Sequence, residues 1–108
     1  MAINYLTRPE PAAAGWPGPS RQNEDLAALV TRCAHGDPAA LTRLYEVTSP
    51  WVYGFLRRRT SSTAQAEDAA VVVYSQVWRQ ATSYPRHRQS VLAWMTGIAC
   101  EVAATTGK

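Results

Sequence analysis

EDAAVVVYSQVWRQA, residues 67–81, decides the fold, because its residues suit two different elements. Three consecutive valines and a tyrosine have the β-branched and aromatic character of a strand. Yet Ala66, Ala69, Ala70, Val73, Tyr74, Val77, Trp78 and Ala81 recur at i, i+3, i+4 and i+7 spacing. A strand alternates with a period of two and rarely runs so long. Valine costs a helical position roughly half a kcal/mol relative to alanine, which burial along four turns outweighs. The segment is a helix. Glu67 and Asp68 favour its start through the helix dipole, whereas Thr63, followed three residues on by alanine, is a weak cap. Val73 belongs to the apolar stripe. Val71 and Val72 fall off it, and packing does not explain them.

The flanking sequence reads the same way. Asn23 is placed to cap a first helix, with Glu24 and Asp25 in its opening turn and Leu26, Leu29, Val30 and Cys33 on one face. Gly36 stops it, and Asp37-Pro38 restarts the chain as an N-cap followed by proline. Leu41, Leu44, Tyr45 and Thr48 form a stripe that continues through Val52, Phe55, Leu56 and Arg59, with a kink or restart expected at Ser49-Pro50. Thr60–Thr63 and Ser83–Gln89 are loops. Ser90 caps a last helix that places Val91, Trp94, Met95, Ile98 and Val102 on one side. Residues 1–22, with four prolines and two glycines, read as a disordered tail, in which Trp16 is a possible docking residue, and residues 23–108 as the folded domain. The fold class is all-α, a small bundle of four to five helices.

The totals bound the function. A chain of 108 residues holds one domain with a modest core. A net charge of +3 tilts toward an anionic partner without requiring one. No apolar run is long enough to span a membrane, and the N-terminus lacks the pattern of a secretory signal, so the expected location is the cytoplasm. Cys33 and Cys100 lack metal-ligand spacing and read as packed, reduced thiols. No phosphate loop, metalloprotease or nucleophile-elbow motif occurs, and His35 and His87 stand apart near turns. The chain is therefore read as a non-enzyme without metal or cofactor.

Two basic clusters remain. Arg57-Arg58-Arg59 ends the second helical stretch, where the helix dipole alone accounts for cations. Arg86-His87-Arg88 lies in the Tyr84–Ser90 loop, beside an aromatic ring and just before a helix N-terminus. Such a loop suits a phosphate or a displaced base. Solvated charge is the competing explanation.

Taken in order, DLAALVTRCAHGDPAALTRLYEVTSPWVYGFLRR, AEDAAVVVYSQVWRQA and SYPRHRQSVLAWMTGIA resemble bacterial RNA polymerase sigma factors of the extracytoplasmic-function type. The resemblance is to their region-two domain and covers about residues 24–104. It implies a domain that binds the polymerase core and recognises and melts the minus-ten promoter element. The third helix would dock on the clamp coiled coil of the β′ subunit, here through Glu67, Asp68, Val71, Val72, Ser75, Gln76 and Arg79. The loop before the last helix would hold a base flipped from the non-template strand, here with Tyr84, Arg86, His87, Arg88, Gln89 and Ser90. Arg57 and Arg58 are further DNA candidates. Trp94 is expected as a core anchor, and Trp78 as packing the third helix on the second.

This chain also departs from the family pattern. Where members carry a glutamine and an acid after the acidic pair, it has Val71 and Val72. Where members carry an arginine pair in the last helix, it has Cys100 and Glu101, which weakens attraction to a polyanion. The family's C-terminal helix-turn-helix domain has no counterpart here, so the chain reads as either a domain excerpt or a single-domain relative. Two functions follow: a working region-two domain, or a divergent sigma-like module that binds an anti-sigma factor or another regulatory protein through its valine surface.

Overall fold

Residues 19–106 are described in the computed structural model, and they form four α-helices. They are α1 (Pro19–Ala34), α2 (Pro38–Arg57), α3 (Thr63–Gln80) and α4 (Val91–Thr106), with a 3₁₀ turn at Ala81–Ser83 after α3. No strand occurs among these residues. The tail reading of residues 1–22 overlaps α1 at residues 19–22, and residues 1–18, with Trp16, lie outside the described residues.

The helix ends follow local chemistry, with corrections. Helix α1 begins at Pro19, so Asn23 is inside it and caps something else. At its far end Gly36 takes a left-handed φ of 83°, which glycine adopts without a Cβ penalty. Asp37 then caps α2: its carboxylate accepts from the Ala39 amide and pairs with Arg32 at 2.9 Å. The Arg32 hydrogen bond holds the Asp37 carboxyl below its usual acidity range. Helix α3 is capped by Ser62, one residue before the expected Thr63, and the Ser62 hydroxyl accepts from the Gln65 amide. Gln65 reaches back to accept from the Ser61 amide at 2.8 Å. Glu67 and Asp68 thus sit in the second turn of α3, past the reach of the N-terminal dipole.

Helix α2 does not restart at Pro50 but runs unbroken from Pro38 to Arg57. Leu44 and Thr48 before the proline and Val52, Phe55 and Leu56 after it are buried on one stripe. Burial on both sides of Pro50 outweighs the roughly 3 kcal/mol that an interior proline costs.

The core joins all four helices, with Val30 of α1, Leu44 and Leu56 of α2, Val73 and Val77 of α3, and Val91 and Met95 of α4 almost fully buried. Helix α3 packs between α2 and α4. Trp94 is the expected core anchor, and Trp78 packs on the core from its edge. Thr48 is the buried polar residue among those described. Its hydroxyl donates to the Leu44 carbonyl at 2.7 Å and accepts from the Tyr74 hydroxyl at 2.6 Å. Burial raises the Tyr74 phenol to about 12. This contact pins α3 in register on α2. Tyr45 adds an edge-on ring contact to Tyr74 at 5.0 Å.

Candidate functional site

Once α3 has turned Ala66, Ala69, Val73, Tyr74 and Val77 inward, its period of 3.6 fixes what faces out. Glu67, Asp68, Val71, Val72, Ser75 and Arg79 are exposed, and Gln76 is half-buried at the margin. Val71 is 71% exposed and Val72 42%, beside a Val73 with no exposure at all. Asp68, Val72, Ser75 and Arg79 form one row. The ion pairs among the described residues are Arg32–Asp37 and Arg43–Glu46, so the charges on this face pair with nothing inside the domain. Gln76 accepts from the Gln80 side chain at 2.9 Å. With the dipole excluded, neither a cap nor an ion pair among the described residues accounts for Glu67 and Asp68.

The Tyr84–Ser90 loop is built in the opposite manner. The Tyr84 ring lies 5.0 Å from that of Trp94, and its hydroxyl donates to the Gln89 carbonyl at 2.7 Å. The amides of Arg88 and Gln89 both donate to the Pro85 carbonyl. Arg86, His87, Arg88, Gln89 and Ser90 are exposed around this turn. Most of the first-turn helix amides expected for a phosphate are already taken. Ser90 caps α4 through the Ala93 amide at 3.1 Å, and the Trp94 amide donates to the Ser90 carbonyl. The Val91 amide donates to the side-chain oxygen of Asn23 on α1 at 2.7 Å. Burial raises the Tyr84 phenol, while the Arg86 charge opposes that rise. The loop can therefore present arginines to an anionic strand, but its aromatic ring is already engaged with Trp94.

The second basic cluster is elsewhere. Helices α2 and α3 are antiparallel across a short turn, so Arg57 and Arg58 sit at the α3 N-terminus. The loop lies at the other end, roughly 27 Å away along an 18-residue helix. Arg57 donates to the Thr60 carbonyl, and Arg59 lies 3.8 Å over the Phe55 ring. Arg58 is exposed. These arginines order the α2–α3 turn and do not join the loop.

Helix α4 has no basic residue, and its outer row of Ala93, Gly97, Cys100, Glu101 and Ala104 is exposed. Cys100 is thus not the packed thiol expected, because it falls between the buried pairs Ile98-Ala99 and Val102-Ala103 on the solvent side. Cys33 is buried, and burial pushes its thiol up. No described helix is long and apolar enough to cross a membrane.

The residue that sequence reasoning misplaced is Asn23. Nothing in the local pattern links it to Val91, 68 positions away.

Comparison with known proteins bears on these two surfaces. Residues 44–103 match the family described as Sigma-70 region 2. The ECF RNA polymerase sigma factor SigK of Mycobacterium tuberculosis (strain H37Rv) is 37% identical over 82 residues, which is 76% of this chain and 44% of that protein. Its counterpart in Mycobacterium ulcerans is 33% identical over 82 residues, with the same coverage of both chains. That of Mycobacterium sp. (strain KMS) is 35% identical over 75 residues, 69% of this chain and 39% of that one. The chain thus spans less than half the length of these curated relatives. No solved structure gives a significant match.

Proposed function

The chain belongs to the sigma-70 region 2 family, among relatives of the extracytoplasmic-function type, and from that membership we propose that it joins RNA polymerase core and helps open promoters in transcription initiation. Glu67, Asp68, Ser75, Gln76 and Arg79 on the outer face of α3 dock on the β′ clamp. Arg86, His87 and Arg88, with Tyr84, Gln89 and Ser90 shaping the turn, hold a base drawn from the non-template strand of the minus-ten element. Arg57 and Arg58, at the far end of α3, are candidates for a separate backbone contact with DNA. The domain works by binding: base capture costs a few kcal/mol of stacking, which loop and backbone contacts offset. Its work lies with the polymerase, in the cytoplasm.

The observation that carries this reading is the charge on α3. Glu67, Asp68 and Arg79 are held outward with no ion-pair partner among the described residues, and the two carboxylates lie past the reach of the N-terminal dipole, while Arg79 sits in the last turn. Capture of core polymerase from a defined mixture tests it, with the β′ clamp fragment as the minimal target. Binding at micromolar concentration is expected, and none at that concentration sinks the proposal.

One observation favours a second function. Val71 and Val72 are exposed where family members carry hydrogen-bonding side chains. A bond to a charged partner group is worth about 1.5–3 kcal/mol, or tenfold and more in affinity. Their loss weakens polymerase docking and suits an apolar partner surface such as that of an anti-sigma factor. Val71→Gln with Val72→Glu separates the two: it strengthens polymerase capture under the first function and weakens the regulator's binding under the second.

A further inference from the structure

The loop's internal hydrogen bonds fix its shape but not its place on the bundle. Those of Arg88 and Gln89 to Pro85, and of Tyr84 to Gln89, all begin and end within residues 84–89. Beside the Tyr84 amide's bond to the Ala81 carbonyl, two contacts tie this unit to the rest of the domain. One is the Tyr84 ring on Trp94. The other is Asn23, whose side-chain oxygen takes the Val91 amide where the loop enters α4. Ser90, the local cap, already serves the Ala93 amide and leaves Val91 to Asn23.

We infer that Asn23 on α1 is a positioning residue for the Tyr84–Ser90 loop, holding its exit into α4 so that Arg86 and Arg88 are presented in one arrangement. The inference deepens the proposed strand-binding role of that loop and rests on it for its consequence. It makes α1 part of the binding apparatus without touching the ligand: whatever disturbs α1 near Asn23 loosens the loop.

Three substitutions separate its parts. Asn23→Leu keeps the branched shape and removes the bond to Val91. Asn23→Asp keeps an acceptor for Val91, with the helix dipole in its favour. Arg86→Ala with Arg88→Ala removes the cations that the loop presents. In hydrogen exchange on the 108-residue chain, Asn23→Leu is expected to lower protection of the Val91 amide by about tenfold or more. Protection at Leu56 and Val77 stays unchanged, and Asn23→Asp restores that of Val91.

In fluorescence anisotropy at low salt, with a labelled random-sequence single-stranded deoxyoligonucleotide, Asn23→Leu weakens binding by about tenfold. It adds nothing in the Arg86→Ala/Arg88→Ala background. Unchanged Val91 protection in Asn23→Leu overturns the inference. So does a loss of affinity that persists in the double-arginine background, since that reports a purely structural role. Failure of the unsubstituted chain to bind the oligonucleotide counts against the strand-binding function alone. In that case faster exchange at Arg88, Gln89 and Val91 in Asn23→Leu supports the positioning role, and unchanged exchange overturns it.

Discussion

The outer face of α3 and the loop that follows it are neighbours in sequence and opposites in construction. The loop is braced: ring on ring, hydroxyl to carbonyl, and a side chain from α1 on its exit amide. The α3 face is unbraced. Its charges make no ion pair among the described residues, and its two valines touch solvent. A braced surface keeps one shape and its substitutions register in stability. On an unbraced surface the side chains answer only to whatever binds there. The difference predicts how mutations divide between folding and binding.

The largest effect lies beneath the loop. Trp94→Ala removes the ring that supports Tyr84 and should cost about 3–5 kcal/mol in chemical denaturation. A cost below about 1 kcal/mol would mean that the loop is held by its own turn alone. Next is the contact that sets α3 on α2. Thr48→Val strands the buried Tyr74 hydroxyl and should cost about 1–3 kcal/mol, whereas Thr48→Val with Tyr74→Phe should recover most of it. If the double variant is no better than the single one, the pair is not what fixes the register.

Alkali tests the same contact without mutation. The Tyr74 phenol is raised to about 12 in the folded chain, against about 10 unfolded. The folded state therefore keeps its proton longer. Stability is fully present below pH of about 10 and falls by up to about 1.4 kcal/mol per unit as pH rises toward the folded value. Tyr74→Phe should flatten that decline in melts taken across the window.

Tyr84→Phe is smaller. It loses one hydrogen bond at the protein surface and should cost about 0.5–1.5 kcal/mol. The smallest effect has the opposite sign. Val71→Ala should stabilise the domain by about half a kcal/mol, because an exposed valine pays its helix penalty without burial. Destabilisation in a melt would show that Val71 packs on something within the chain, and the contrast between the two surfaces would fail.

Much of this molecule was legible in the chain itself. The four helices, the Gly36-Asp37 junction, the Ser90 cap and the division of Val71 and Val72 from Val73 all follow from period, cap chemistry and helix propensity. Those rules act over a few residues, so the local sequence carries them. The local rules also misled in places. They set a kink or restart at Pro50, because burial on both flanks cannot be weighed before α2 has neighbours. They assigned Glu67 and Asp68 to the helix dipole, because shifting the cap to Ser62 changes the turn they occupy. They buried Cys100, which lies on the solvent side once α4 is packed.

Tertiary structure alone decided the partners of the loop. A capping oxygen 68 residues from its amide, and a tyrosine turned from a base platform into a strut on Trp94, are products of α1 and α4 lying side by side. Hydrogen bonds are settled by distance in space. Periodicity reports only which way each side chain faces.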